Sequence, residues 1–180
     1  MHSKWVVKQF SRLLPEFLAM LLLLTITPAY AATVAEESEL KAAFVYNFTL
    51  FTTWPKASNT LNLCVFGKSA YLPFLKVYNG RVVNDSTIKV TQVDSATEAR
   101  SCQVLFIDTN AYAQIDSIYQ ALEGVAVLTV TEASVAIAPM AHIGLMRING
   151  RMQFEINQTE ALISNLKLSY KLLKLAKKVY

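Results

Sequence analysis

Histidine is almost missing from this chain, with His2 and His142 the only two in 180 residues. Cysteine is as scarce, at two, and glycine and proline number five each. These shortages exclude several kinds of chemistry. The usual general base has a single address beyond the first residues, His142, and no partner stands near it in sequence. The hydrolase signatures G-x-S-x-G and H-E-x-x-H are both absent, and no C-x-x-C offers a metal clamp. No apolar run approaches the roughly 20 residues that a membrane-spanning helix needs. The run nearest the start is FLAMLLLLTI, at residues 17–26. Repeats, low-complexity tracts and linkers are missing as well. The chain reads as one domain behind a short leader, without catalytic equipment and with no cofactor expected.

That leader has an orderly layout. Lys4, Lys8 and Arg12 form a basic start, the apolar run follows, and Ala29 and Ala31 are spaced as an A-x-A cleavage signal. This is the order of a secretory signal peptide, so residues 1–31 are expected to be removed after Ala31, leaving a single domain at 32–180. The leader's three basic groups, set against Glu16, account for much of the net charge of +4. The remaining lysines gather toward the end of the sequence, whereas a nucleic-acid surface needs a basic face over the body of the domain. Export favours a disulfide between Cys64 and Cys102, because an oxidising compartment preserves such bonds. Two buried thiols packed as small hydrophobes are the alternative.

Apolar patterning then gives the fold class. Leu40, Phe44, Asn47, Phe51 and Trp54 recur at spacings of 4, 3, 4 and 3, one face of a helix stopped by Pro55. LNLCVF (61–66), QVLFID (103–108) and GVAVLTV (124–130) are short continuous apolar runs. Residues 81–83 and 88–93 are further strand candidates, and helical segments fall at 69–78, 96–100 and 112–122. Buried strands alternating with helices predict an α/β domain, its mostly parallel sheet covered by helices on both faces.

IGLMRINGRMQFEIN, at 143–157, differs from these runs. Asn149-Gly150 is the preferred pair for a two-residue type I′ turn, so the stretch predicts an antiparallel hairpin. Alternation places Met152, Phe154 and Ile156 toward the core and Arg151, Gln153 and Glu155 toward solvent. Asn157 then caps a long terminal helix, with Glu160 reaching back. Leu162, Leu166, Leu172 and Leu173 lie on its apolar side. Lys167, Lys171, Lys174 and Lys178 mark the other side, either a solvated basic face or one drawn to an anionic membrane surface.

Two places invite a ligand. Gly67-Lys68-Ser69 follows a strand and opens a helix, but a phosphate loop needs a glycine where Asn62 stands. A small anion held at Lys68 and Ser69 is the modest version of that reading. Asp108 ends its strand at the edge where open α/β sheets bind ligands, a position where aspartate also caps turns. His142 reads as structural.

In their order and spacing, YNFTLFTTWP (46–55), LCVFG (63–67), CQVLFI (102–107), VLTV (127–130), RMQFEIN (151–157) and LLKLA (172–176) resemble the YfiR-like family of bacterial periplasmic proteins. The resemblance covers essentially all of the sequence after the leader. It implies a non-enzymatic periplasmic regulator that binds the periplasmic sensor domain of an inner-membrane diguanylate cyclase of the YfiN type and represses cyclic-di-GMP synthesis. It also implies a tendency to form homodimers, and it matches Cys64 and Cys102 to one cysteine pair of the family. The second pair that some members carry before FEIN has no counterpart in residues 136–144. Glu155 is the first choice for a partner contact, with Arg151, Gln153 and Asn157 beside it, while Asn47 and Trp54 are expected to hold the first helix against the sheet. A periplasmic sensor of a small ligand at Lys68, Ser69 and Asp108 is the alternative function.

Overall fold

Three apolar runs form the middle of the sheet. In the computed structural model, which describes residues 28–180 except 135 and 137, β2 (Thr60–Phe66), β5 (Val104–Ile107) and β6 (Leu128–Thr131) lie parallel and side by side. Successive side chains of a strand enter opposite layers, so a strand buried on both faces is apolar throughout. Leu61, Leu63 and Val65 of β2, with Val104 and Phe106 of β5, enter one core; Cys64, Phe66, Leu105 and Ile107 enter the other.

The sheet grows outward from this centre. On one side β4 (Ser86–Val93) runs parallel to β2, and β3 (Val82–Val83) folds back antiparallel on β4. On the other, β7 (Ile143–Ile148) is parallel to β6, β8 (Arg151–Ile156) antiparallel to β7, and β10 (Lys178–Val179) parallel to β8. The eight strands follow the order β10-β8-β7-β6-β5-β2-β4-β3. The sheet is therefore mixed, with antiparallel pairs toward both edges, and not the mostly parallel one implied by the apolar runs. Two tight turns cause the difference. Asn149 (φ 50°) and Gly150 (φ 77°) reverse the chain between β7 and β8, and Asn84 (φ 46°) with Asp85 (φ 65°) does so between β3 and β4.

Helices cover both faces, as the pattern predicts. α1 (Pro28–Leu50), α2 (Leu72–Lys76), α5 (Gln158–Ile163) and α6 (Tyr170–Leu175) bring Val45, Phe48, Leu75, Ala161 and Leu172 to the first core. α3 (Ala96–Ala99) and α4 (Ile115–Leu122) bring Ala99, Ile118, Tyr119 and Leu122 to the second. Residues Ser38–Tyr180 form one compact unit. The basic residues and apolar run of the expected leader lie outside the described residues, and the backbone at Ala31 is part of α1. Among the described residues no helix is long and apolar enough to cross a membrane.

Two expectations fail here, each for a long-range reason. The buried stripe of α1 is Ser38, Lys41, Ala42, Val45, Phe48 and Thr49, one position away from the face through Leu40 and Asn47. Phe48 sets that phase by meeting the ring of Phe154 edge-on at 5.1 Å. Asn47 is exposed and donates to Ala43 O of its own helix (2.8 Å), so it does not grip the sheet. Trp54 does, through Nε1–H to Gln103 O (3.0 Å). The long terminal helix is also replaced. α5 stops at Ile163, Asn165 takes the left-handed conformation (φ 58°), and β9 (Lys167–Leu168) pairs antiparallel with β1 (Thr52–Thr53). Ser169 then caps α6 by accepting from Leu172 N–H, and the chain extends again into β10. Four lysines at helical spacing fit a continuous helix, but β1 pairs with Lys167–Leu168 and β8 with Lys178–Val179, which draws both stretches out as strands.

The two cysteines are joined. Cys64 of β2 and Cys102 before β5 form a disulfide with their Cα atoms 5.9 Å apart and a sequence separation of 38. Closing such a loop contributes roughly 3–4 kcal/mol in the chain-entropy model.

His142 is a structural joint at the base of the hairpin. Thr129 N–H donates to its Nδ1 (3.0 Å), so the proton of the neutral ring sits on Nε2, which faces Ser164 Oγ at 3.0 Å. Burial lowers its pKa from 6.5 to about 4. The unfolded chain binds this proton first, so the contribution of His142 to stability is full above pH 6.5 and declines as pH falls from 6.5 toward 4. The slope is at most about 1.4 kcal/mol per pH unit. Urea denaturation across that range is expected to show the decline, and His142→Gln to flatten it.

Candidate functional site

The residues expected to meet a partner separate into two groups along β8. Arg151 is exposed and Gln153 half-buried, while Phe154, Glu155 and Ile156 are buried. Glu155 is only 5% exposed, so the wet polar face inferred from alternation ends at Gln153. Two elements cover it. Ser134 Oγ donates to Glu155 Oε2 at 2.6 Å from the loop after β6, and the Tyr180 hydroxyl donates to the same oxygen at 3.2 Å. β10 lies alongside, with Lys178 opposite Glu155 and Val179 opposite Ile156. Period-two alternation cannot reveal this, because it describes one strand and not what lies on it.

Asn157 is committed to structure. Its Oδ1 accepts from Glu160 N–H (3.0 Å) as the cap of α5, and its Nδ2 donates to Pro139 O (2.7 Å). The reciprocal half of the capping box is replaced, since Asn157 N–H donates to His142 O (2.8 Å). Glu155 and Asn157 thus shape the base of the hairpin.

The carboxyl edge of the parallel strands is a different kind of place. Strand order reverses direction between β2 and β5, and ligands of open α/β sheets bind at such a switch point. The segments after these two strands carry the expected ligand residues. Gly67 (φ 67°) makes the turn and donates to Val93 O (2.8 Å). Lys68 is exposed, and Ser69 Oγ accepts from Tyr71 N–H (3.2 Å), which ties the serine into its own turn. α2 begins only at Leu72, so no cradle of helical N–H groups faces Lys68 and Ser69. Asp108 is buried; Oδ1 caps the next turn through Asn110 N–H (2.8 Å), and Oδ2 meets no protein donor.

Sequence reasoning missed the strongest electrostatic feature of this edge. Lys41 on α1 donates to Glu132 Oε1 (2.6 Å) just past β6, and to the Tyr71 hydroxyl (2.8 Å) just past β2. Glu132 Oε2 takes Thr109 N–H (3.4 Å) just past β5. One ion pair, both side chains about a tenth exposed, therefore ties α1 to the ends of three parallel strands. Burial raises the pKa of Tyr71, partly offset by the Lys41 ammonium. Burial likewise pushes the Tyr112 hydroxyl up to about 12, so both phenols stay neutral at physiological pH. A lysine amid the first helix's apolar residues was the available signal, but its partner is 91 residues away.

Nothing in this arrangement pairs a nucleophile with a base. Among the described residues no group of three or more His, Cys, Asp or Glu side chains could hold a metal ion. Breaking a buried pair leaves one charge unpaired at a cost of about 3–5 kcal/mol. Lys41→Met is accordingly expected to destabilise the protein by about 3 kcal/mol or more, and Lys41→Met with Glu132→Gln by clearly less than the two changes summed; a denaturant double-mutant cycle reads this directly.

No curated protein matches the chain. A solved structure described as an ABC domain in complex with L-Trp, from Streptococcus pneumonia, is similar in fold at a TM-score of 0.51 and 9% sequence identity. That similarity covers 76% of this chain and 59% of the other, so the chain spans under two thirds of that protein's length. The family model described as YfiR/HmsC-like matches residues 38–177, nearly the whole compact unit. The chain belongs to the YfiR/HmsC-like family of periplasmic regulators in cyclic-di-GMP signalling.

Proposed function

We propose that this protein is a periplasmic repressor that binds the periplasmic sensor domain of an inner-membrane diguanylate cyclase and holds cyclic-di-GMP synthesis low. The observation that carries the reading is the family match across residues 38–177. The leader at 1–31 directs export, and cleavage after Ala31 releases the domain at 32–180. The Cys64–Cys102 bridge suits an oxidising compartment. Contact falls on the distal hairpin around Arg151 and Gln153, with Glu155 and Asn157 shaping the support beneath it. Homodimers belong to the same reading.

A second reading has its own support: a sensor of a small ligand at the carboxyl edge. Asp108 Oδ2 is buried there without a donor, Lys68 and Ser69 lie across the switch point, and a protein of similar fold is described in complex with L-Trp. A ligand at this edge bears on α1 through Lys41, so both readings are compatible in one molecule.

Deleting the gene is expected to raise cellular cyclic-di-GMP several-fold, and the full-length wild-type chain to restore it. Arg151→Glu together with Gln153→Glu is expected to restore it poorly while folding normally. A deletion that leaves cyclic-di-GMP unchanged overturns the repressor reading.

A further inference from the structure

The hairpin has one side that its own fold does not finish. Ile148 and Arg151 flank the two-residue turn and pair with each other, as do Met146 with Gln153 and Gly144 with Glu155. In an antiparallel ladder these alternate positions exchange their hydrogen bonds, so Arg151, Gln153 and Glu155 direct their backbone groups toward β7. Met152, Phe154 and Ile156 direct theirs outward. Lys177 N–H to Phe154 O (2.8 Å) and Tyr180 N–H to Ile156 O (2.9 Å) follow that alternation. The register of β10 covers only Glu155 and Ile156, and Met152 lies beyond it toward the turn.

Beside this uncovered stretch lies a groove of about 500 Å3, lined by Phe44, Met152, Gln153, Phe154, Leu175 and Lys177. Its walls are largely apolar, and Leu175 is 68% exposed. Three exposed cations line it or adjoin its lining residues in the chain: Lys177 does the first, Arg151 and Lys178 the second. Glu155, the nearest acid in the strand, is buried and already bound by Ser134 and Tyr180.

We propose that the outer edge of β8 at Met152 is a docking site for an extended, acidic segment of a partner protein, which adds as a strand in line with β10 and seats one apolar side chain in the groove. Each part of that description answers a feature. Outward N–H and C=O groups call for another strand, because main-chain bonds supply affinity when a peptide joins a sheet edge. A groove walled by Phe44, Phe154 and Leu175 takes an apolar anchor. Arg151, Lys177 and Lys178 select acidic neighbours for that anchor and speed encounter. This deepens the proposed repressor function by naming the kind of partner segment, and rests on that reading for its biological setting.

The test uses the full chain and two fluorescein-labelled heptapeptides, Glu-Thr-Glu-Phe-Glu-Thr-Asp and the same sequence with lysine at every acidic position, measured by anisotropy. The acidic peptide is expected to bind at least about tenfold more tightly than the basic one. Met152→Pro removes the outward N–H without touching the β7 ladder and is expected to weaken binding about tenfold, while Met152→Ala, which keeps that N–H, weakens it less. Arg151→Glu with Lys177→Glu is expected to reverse the charge preference, and this pair decides the matter should Met152→Pro fail to fold. Binding that ignores both sets of variants overturns the proposal, as does no binding by either peptide. Sedimentation showing a dimer lost in Met152→Pro, with no peptide bound, overturns it too and assigns the edge to a second copy. The cyclic-di-GMP response to gene deletion is independent of all these outcomes, so the edge can fail while the repressor reading stands.

Discussion

A strand buried on both faces has to find all its backbone partners in neighbouring strands, and that requirement organises this molecule. β2, β5 and β6 are apolar along their length because helices cover both their faces. Their N–H and C=O groups see no water, so the sheet extends until a strand can tolerate solvent at one side. On one flank the short β3 ends it. On the other, the hairpin of β7 and β8 ends it, with β10 covering two residues of the last edge. Contact with another protein is accordingly expected where the sheet stops being satisfied from within.

Polar groups inside the domain are placed to hold elements in position. Lys41, Glu132 and Tyr71 join α1 to the ends of β2 and β6. His142 joins β6 to the loop after α5. Glu155 joins β8 to the loop after β6 and to Tyr180. Each tie crosses between segments remote in sequence, and each lies next to an apolar core instead of a water-filled cleft.

The parts legible in the sequence were those set by local rules. Continuous apolar runs located β2, β5 and β6, and Asn149-Gly150 located the hairpin because few residues accept two successive positive φ values. Asn157 as a cap followed from its side-chain oxygen. What escaped was set by partners far along the chain. Phe48 faces inward because Phe154 meets it, which no spacing within α1 reveals. Lysines at helical intervals from Lys167 to Lys178 suggested one helix, and β1 and β8 recruit parts of that segment as strands instead. Glu155 alternated onto a polar face that Ser134 and Tyr180 then cover. Glu155 and Asn157 are therefore held by hydrogen bonds within the domain.

Amide hydrogen exchange in β8 of the protein alone tests the open edge most directly. Gln153 and Glu155, whose N–H groups bond to β7, are expected to exchange at least about a hundredfold more slowly than Met152, whose N–H points away from the sheet. Met152 protected to the same degree as Gln153 would contradict an unfinished edge and remove the surface on which a partner strand is expected to dock.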